Sequence, residues 1–300
     1  MKKKLFSSGA ILLAAILWGF AFVAQAEGAK TLETFPYNGI RFLIPSLVLL
    51  IAFFIATRKG IDIEKAKTSF KGGLIAGAFL FSAATLQQFG IQLSPDGTST
   101  KAGFITGLYA ITVPIVSFLI FKKKTAWNVW VSSGVAVVGL YLLCVSGAMS
   151  INASDLILLV SVFLWTGHIL TIDHFIGKSY LLLFSAIQYG VTAIVSLIFA
   201  VIFNPDVLFN VELLSAGFWP LAYGAVCSVL IGFTLQTVGQ KHADPTVAAI
   251  LASTESLFGA IGNFIFYDVS FTVYQYIGCG LIFFGMVFSQ LNLDFRKQKA

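Results

Sequence analysis

Charged side chains are scarce in this chain. Asp, Glu, Lys and Arg make up 11% of the 300 residues, whereas a soluble domain carries roughly 25%. Hydrophobic residues account for 58%, and 30 residues are Phe. A water-soluble protein of this composition would expose large apolar patches and aggregate. The composition therefore excludes an ordinary soluble enzyme, a disordered chain and a fibrous protein, and indicates a protein that lives in lipid.

Cysteine is also scarce, and its placement gives no sign of a disulfide framework. Cys144, Cys227 and Cys279 each lie in an apolar stretch, where membrane helices use Cys as a small apolar residue. No His or Cys spacing is typical of a metal site, and no glycine pattern is typical of a nucleotide loop. We therefore expect no metal ion and no cofactor.

The net charge of +6 does not indicate nucleic-acid binding. The basic residues fall in short clusters between long apolar runs and form no basic face on a polar helix. We expect no nucleic acid among the partners, which should be the lipid bilayer and a small-molecule substrate.

Ten apolar stretches are long enough to be membrane helices, since a helix needs roughly 20 apolar residues to cross the hydrocarbon core. Pro114 is expected to kink the fourth, because lipid cannot replace the missing hydrogen bond. The sequence thus predicts an all-α integral membrane protein. Its spans are residues 6–26, 36–57, 73–93, 102–121, 127–147, 155–175, 180–203, 217–239, 246–266 and 271–291.

The first stretch also has features of a cleaved signal peptide. Lysines begin it, and Ala24-Gln25-Ala26 fits the small-x-small pattern of a signal-peptidase site. The stretch is nevertheless long enough to span the bilayer, and it contains Trp18-Gly19, which a later helix partly echoes. We interpret it as a retained first helix.

The basic residues predict the orientation, because cytoplasmic loops of membrane proteins are enriched in Lys and Arg. With the N-terminus inside, the inner segments hold 16 of the 19 basic residues. The outer segments hold only Lys30 and Lys101, and Arg41 lies within the second span. We therefore expect the protein in the cell membrane (the inner, or cytoplasmic, membrane), with both termini on the cytoplasmic side.

The chain resembles itself at a spacing of about 147 residues. Trp18 matches Trp165, and Gln87 matches Gln236. Further matches follow in the same order, and their spacing stays between 146 and 149 residues. The order and the nearly constant spacing indicate an internal repeat.

Each repeat holds five spans, an odd number, so the second copy is inserted upside down. The loop charges agree, because the inner basic segment Lys122–Lys124 corresponds to an outer segment that contains Asp268. The sequence therefore predicts ten transmembrane helices as two inverted five-helix repeats, residues 1–150 and residues 151–300. This is a transporter architecture whose substrate site lies near the midplane between the halves.

Several short motifs stand in the predicted helices: Trp18-Gly19-Phe20-Ala21-Phe22-Val23, Asn38-Gly39-Ile40-Arg41-Phe42, Ala102-Gly103-Phe104-Ile105-Thr106-Gly107-Leu108-Tyr109 with Val113-Pro114, Trp165 with His168-Ile169, and Thr254-Glu255-Ser256-Leu257-Phe258. Together they resemble EamA-type members of the drug/metabolite transporter superfamily. The resemblance covers nearly the whole chain and includes the number of spans and the repeat plan. It implies a ten-helix transporter, often an exporter, of amino acids, related metabolites or drugs.

The chain departs from the family pattern at three places. Many members have Glu-Pro where this chain has Glu255-Ser256. A Gly-Glu pair often closes the fourth and ninth helices, where this chain reads Phe121-Lys122 and Tyr267-Asp268. The resemblance therefore implies a fold and a class of protein, but no particular substrate.

Glu255 is the first candidate for transport chemistry. It lies near mid-bilayer in the ninth span, where an acid costs roughly 2.5–3.5 kcal/mol even on mild scales. Such residues usually face a cavity or a partner, so Glu255 is a candidate proton carrier. The alternative is a protonated Glu that hydrogen-bonds a neighbouring helix. The repeat places Tyr109 at the equivalent position, as a candidate partner in substrate contact.

Arg41 is the one basic side chain well inside a predicted span. Its guanidinium could hold a substrate carboxylate through two hydrogen bonds. It starts only about 8 Å below the outer end by helical rise, so snorkelling to the surface is the alternative. Gln188 occupies the equivalent position in the second repeat.

The other candidates are polar or aromatic side chains inside predicted spans. A relay from His168 to Asp173 is disfavoured, since five residues turn them about 140° apart; a single polar contact between helices suits His168 better. The glutamines either line the path or bridge helices, and the aromatic residues either form walls or pack against their surroundings. These candidates are His168, Gln87, Gln236, Trp18, Phe22 and Trp165.

The leading hypothesis is a secondary transporter, as a monomer or homodimer. It would export amino acids or related small metabolites by alternating access, with proton coupling through Glu255 as an option. The alternatives are a passive facilitator or channel, a membrane scaffold and an intramembrane enzyme. No nucleophile and base stand at a workable spacing for an enzyme.

Overall fold

Ten helical spans, named α1 to α10, make up the membrane domain in the computed structural model, which describes residues 2–94, 100–144, 152–267 and 271–291. No strand occurs within these ranges. Helices satisfy their own backbone groups, as lipid requires. The spans are α1 (Lys2–Ala29), α2 (Thr34–Ala56), α3 (Ile63–Gln92), α4 (α4a, Thr100–Gly107, and α4b, Tyr109–Phe121), α5 (Trp127–Cys144), α6 (Ala153–Phe175), α7 (Leu181–Phe203), α8 (Phe218–Gln240), α9 (α9a, Pro245–Ala252, and α9b, Glu255–Tyr267) and α10 (Val273–Gln290).

Nine of these spans are long and apolar enough to cross a membrane, and α5 contains a shorter apolar helix over Trp127–Leu143. Short helices at Pro205–Leu208 and Val211–Ala216 connect α7 to α8. The prediction of an all-α membrane protein with ten helices is confirmed. The predicted boundary between residues 150 and 151 lies outside the described ranges.

The start of α3 differs from the prediction, because the helix begins at Ile63 rather than at residue 73. The Asp62 side chain accepts a hydrogen bond from the Lys65 backbone N–H at 3.1 Å, and Glu64 lies in the first turn. Both features stabilise a helix N-terminus. Local capping therefore extends α3 beyond its apolar stretch, which hydropathy alone does not detect.

Two spans are interrupted at equivalent places. The break in α4 falls at Leu108 and that in α9 at Ser253 and Thr254, so Tyr109 and Glu255 each begin a new helical segment. Pro114 lies inside α4b, which continues past it. The interruption of α4 therefore lies six residues before the proline at which we expected the irregularity.

A third irregularity lies in α8, whose middle segment Gly224–Phe233 is a π-helix between two α-helical ends. The wider turns change the direction in which side chains leave the helix. Such segments are frequent at functional sites.

The helix packing follows the inverted repeat, in which α1 to α5 correspond to α6 to α10. The contact of α1 with α8 is repeated by that of α6 with α3, and the contact of α1 with α9 by that of α6 with α4. The contacts α2–α7, α4–α9 and α5–α10 each join a helix to its own equivalent in the other repeat, so exchanging the repeats leaves them unchanged. The pseudo-two-fold axis therefore passes between the repeats, where the interrupted helices α4 and α9 meet.

Glycines bring the backbones of α5 and α10 into contact. A Cβ atom at Gly278 would lie 2.6 Å from the carbonyl oxygen of Gly139, and one at Gly139 would lie 2.8 Å from that of Gly278. Small residues are the usual means by which membrane helices approach this closely.

We expect Gly278→Ala to lower the free energy of unfolding by about 1–3 kcal/mol, the usual cost of overpacking. Gly280→Ala is the matched control, since nothing lies within 4 Å of a Cβ atom there. Unfolding of both variants in detergent micelles measures the difference. Equal stability of the two variants would contradict the close α5–α10 contact.

Candidate functional site

A cavity lies where the two repeats meet. Helices α1, α2, α3, α4, α6, α8 and α9 contribute to it. Every lining residue is buried, so the cavity is largely closed to solvent. The lining residues are Trp18, Phe22, Gln25, Arg41, Gln87, Thr106, Tyr109, Trp165, Ile169, Ser228, Phe233, Gln236, Ala252 and Glu255.

Most of the lining residues come in pairs related by the repeat. At a spacing of 146 to 149 residues, the pairs are Trp18 and Trp165, Phe22 and Ile169, Gln87 and Gln236, Thr106 and Ala252, and Tyr109 and Glu255. The cavity therefore lies across the pseudo-two-fold axis. Its walls differ where the two members of a pair differ, and also at Gln25, Arg41, Ser228 and Phe233, whose repeat mates do not line it.

Tyr109 and Glu255 meet at the centre of the cavity. The Tyr109 hydroxyl donates a hydrogen bond to Glu255 Oε1 at 2.8 Å. Next to it, the Ser256 hydroxyl donates to the Gly103 carbonyl oxygen at 2.6 Å. These two bonds tie α9b to both halves of α4. Glu255 is also the first residue of α9b, where the unpaired backbone N–H groups of a helix favour a carboxylate.

Arg41 enters the cavity from α2 and is 3% exposed. Its guanidinium carbon lies 4.8 Å from the ring centroid of Tyr37 and 5.2 Å from that of Phe42. Gly224 gives it room, since a Cβ atom there would lie 3.3 Å from Arg41 Cδ. Arg41 Nε is buried without a hydrogen-bond partner. Arg41 is thus held by aromatic rings and does not snorkel to the outer surface.

The cavity lining contains one acid and one base, Glu255 and Arg41, and no ion pair joins them in the part of the chain that the structure describes. Arg41 is the eighth residue of α2, and Glu255 is the eleventh residue of the span α9 counted from Pro245, so both lie well inside their spans.

The two equivalent glutamines differ in their hydrogen bonds. Gln87 Oε1 accepts from Trp165 Nε1 at 2.9 Å, and Gln87 Nε2 donates to Gln25 Oε1 at 3.2 Å. On the opposite wall, Trp18 Nε1 donates to a backbone carbonyl of α8 at 3.1 Å. Gln236 Oε1 is therefore left buried without a partner in the cavity lining. Gln87 bridges helices, whereas Gln236 offers a vacant acceptor.

His168 and Gln188 do not line the cavity. They face each other across α6 and α7, with His168 Nε2 2.9 Å from Gln188 Oε1. Asp173 instead forms an ion pair with Lys123 at 2.6 Å. The structure brings together the other eight candidates, and their contact with substrate stays a prediction.

Six lining residues are not among the predicted site residues. Gln25 lies in the middle of the small-x-small motif, and its polar side chain inside an apolar span is a signal that could have found it. Ile169 could have been found as the repeat mate of Phe22. The others have common side chains that nothing distinguishes in an apolar chain. The six are Gln25, Thr106, Ile169, Ser228, Phe233 and Ala252.

No group of three or more His, Cys, Asp or Glu residues that could hold a metal ion occurs in residues 2–94, 100–144, 152–267 and 271–291. The side chains available for chemistry at this site are therefore one carboxyl, one guanidinium and neutral polar groups. These groups can bind an ionic substrate and can exchange a proton.

The comparison with known protein families agrees with this geometry. The pattern of the EamA-like transporter family matches residues 6–145 and again residues 152–290. The chain belongs to the EamA-like transporter family. It is a multi-pass membrane transporter of the drug/metabolite transporter superfamily, built from two EamA repeats.

Individual relatives point the same way. An "Uncharacterized transporter" of Archaeoglobus fulgidus is 27% identical over 293 residues, which cover 97% of this chain and 88% of that protein. "Uncharacterized transporter YetK" of Bacillus subtilis is 23% identical over 300 residues, with coverage of 95% and 87%. Both names fit a protein that is not an enzyme.

A solved crystal structure shares the fold of this EamA transporter. Its TM-score is 0.76 at 16% sequence identity, and the match covers 98% of this chain and 99% of the other. The ten-helix arrangement therefore occurs at low sequence identity.

We expect Tyr109→Phe and Glu255→Ala to be non-additive, because each removes the same buried hydrogen bond. Their coupling in a double-mutant cycle should be about 0.5–1.5 kcal/mol. The matched control is Tyr223→Phe with Glu255→Ala, since the Tyr223 hydroxyl donates to the Leu17 carbonyl instead. Unfolding in detergent measures both cycles. Additive Tyr109 and Glu255 changes would contradict the contact.

Proposed function

We propose that this transporter exports small zwitterionic metabolites, amino acids among them, through the cavity by alternating access. The observation that supports the proposal most is that one base, Arg41, and one acid, Glu255, stand in a buried lining that is otherwise without acids and bases. Charges at this depth are costly unless they meet a partner. A zwitterion supplies a partner to each of them at once.

The substrate's carboxylate would bind Arg41. A guanidinium presents a planar fork of donors that matches a carboxylate, and Arg41 Nε has no partner of its own. The ammonium group would bind Glu255 and the vacant acceptor Gln236 Oε1. Arg41 and Glu255 line the same cavity, so one small molecule could contact both side chains.

The rest of the lining suits an apolar side chain. Trp18, Phe22, Trp165, Ile169 and Phe233 contribute rings or aliphatic surface. A sugar would need more hydrogen-bonding groups than this wall offers, because each buried hydroxyl left unpaired costs free energy.

Glu255 would also carry the coupling proton. An acid that accepts a hydrogen bond from Tyr109 and faces a closed cavity can bind a proton or an ammonium group, but it cannot stabilise both at once. This competition would exchange protons for substrate. The paired breaks in α4 and α9 supply irregular backbone next to the site, as in transporters that rock one repeat against the other.

The sidedness belongs to the same proposal. The excess of basic residues in the inner segments favours cytoplasmic termini in the cell membrane. Export is the direction that the resemblance to EamA-type proteins implies. The working unit would be a monomer or homodimer that needs the bilayer and the small-molecule substrate, with no nucleic acid involved.

The experiment that tests the proposal is uptake of an amino-acid panel into liposomes that contain the purified protein, with and without a pH gradient. Substrates should be zwitterionic, and a proton gradient should drive their accumulation. Transport that ignores the gradient would favour a passive facilitator. Absence of transport for every zwitterion would contradict the proposed substrate class.

We expect Arg41→Gln to raise the KM for zwitterionic substrates roughly 10- to 100-fold, since a hydrogen bond to a charged group is worth about 1.5–3 kcal/mol. The matched control is Arg58→Gln, because Arg58 is exposed and lies outside the cavity. Initial uptake rates measure both KM values. An unchanged KM in Arg41→Gln would exclude Arg41 as the carboxylate site.

We expect Glu255→Gln to abolish the stimulation of transport by a pH gradient, because the amide keeps the size of the side chain and an acceptor for Tyr109 but binds no proton. Glu212→Gln is the control, since Glu212 is exposed in the connection between α7 and α8. Uptake with and without the gradient measures the stimulation. A Glu255→Gln variant that keeps its full rate and pH dependence would refute the coupling role.

A further inference from the structure

We propose that Phe233 sets the upper size limit of the substrate's side chain, so that the cavity prefers aliphatic over aromatic zwitterions. The inference rests on the proposed function, because it assigns the part of the cavity that receives the side chain. Three observations carry it: the aromatic contacts of Phe233, its repeat mate, and the close packing of α8 against α1.

The Phe233 ring is held by aromatic neighbours on several sides. Its centroid lies 4.8 Å from that of Trp18 and 5.8 Å from that of Trp165, with which it stacks at 12°. Phe42 and Tyr189 lie 6.0 Å and 6.4 Å away. A ring surrounded in this way cannot swing aside to admit a larger substrate without displacing several others.

The repeat mate of Phe233 is far smaller. At the spacing of 149 residues that pairs Gln87 with Gln236, Phe233 corresponds to Ala84 in α3. Ala84 is buried and does not line the cavity, whereas Phe233 does. At this position the second repeat therefore carries a benzyl group, whereas the first repeat carries only a methyl group.

The backbone behind Phe233 has no room to retreat. Phe233 ends the π-helical segment of α8, and a Cβ atom at the preceding Gly232 would lie 2.7 Å from Trp18 Nε1. Helix α8 is thus already packed closely against α1. If Arg41 and Glu255 hold the charged ends of a zwitterion, the substrate's side chain faces this rigid aromatic wall. The Phe233 ring then occupies the volume that a large substrate side chain would need.

The test compares the dissociation constants of alanine, leucine and phenylalanine for the purified transporter by titration calorimetry. In the unmodified protein, phenylalanine should bind more weakly than alanine or leucine. Phe233→Ala should lower the ratio of the phenylalanine constant to the alanine constant on the order of 10-fold, the usual scale of discrimination by a hydrophobic pocket. Phe233→Leu, a smaller change that protects the fold, should lower it less.

Phe199→Ala is the matched control. Phe199 lies in a separate aromatic cluster with Phe35, Phe81 and Phe203, away from the cavity. Phe199→Ala removes the same atoms as Phe233→Ala, so its ratio of the phenylalanine to the alanine dissociation constant should equal that of the unmodified protein.

The outcomes distinguish a failure of the size-limit role of Phe233 from a failure of the proposed substrate class. If the unmodified protein binds alanine or leucine but neither Phe233 variant shifts the ratio, the size-limit role is wrong and the proposed function stands. A ratio that shifts equally in Phe199→Ala also overturns the role. If the unmodified protein binds none of the three, the proposed substrate class is wrong and the inference falls with it.

Discussion

Lipid offers no hydrogen bonds, and the other features of this protein depend on how the chain meets that constraint. The backbone meets it by forming helices, and its two interruptions beside Tyr109 and Glu255 lie against other helices rather than lipid. Polar side chains meet it by bonding across helices, as Gln87 does with Trp165. Three of the buried polar atoms left without a partner, Arg41 Nε, Thr106 Oγ1 and Gln236 Oε1, border the cavity, where a substrate could bond to them.

An inverted repeat brings its two halves together at one axis, and the site that we propose lies where the halves differ. Trp18 and Trp165 are equivalent in the two repeats, so each repeat contributes the same indole ring to the cavity wall. The equivalent residues Tyr109 and Glu255 combine a phenol with an acid. Because they contact each other, the acid lies close to the pseudo-two-fold axis. Rigid-body rocking needs the similarity of the halves, whereas selection of a substrate needs their differences.

The sequence allowed the helices and the repeat to be predicted, because long apolar runs and the sign of loop charges are strong signals. Eight of the ten candidate residues line the cavity, since charged and amide side chains inside spans are rare enough to be noticed and the two Trp residues match each other in the repeat. The start of α3 was missed because Asp62 caps it outside the apolar run. Phe233 was missed because one Phe among 30 carries no signal until its neighbours are known.

In the proposed mode of binding, Arg41 and Glu255 hold the two ends of a zwitterion in the cavity. The most direct measurement is a structure of the protein with alanine or leucine bound. We expect density for the amino acid between Trp18 and Trp165, with its carboxylate within hydrogen-bond distance of Arg41 and its ammonium group within that distance of Glu255. An amino acid bound outside this cavity, or bound with its carboxylate against Glu255, would contradict the claim.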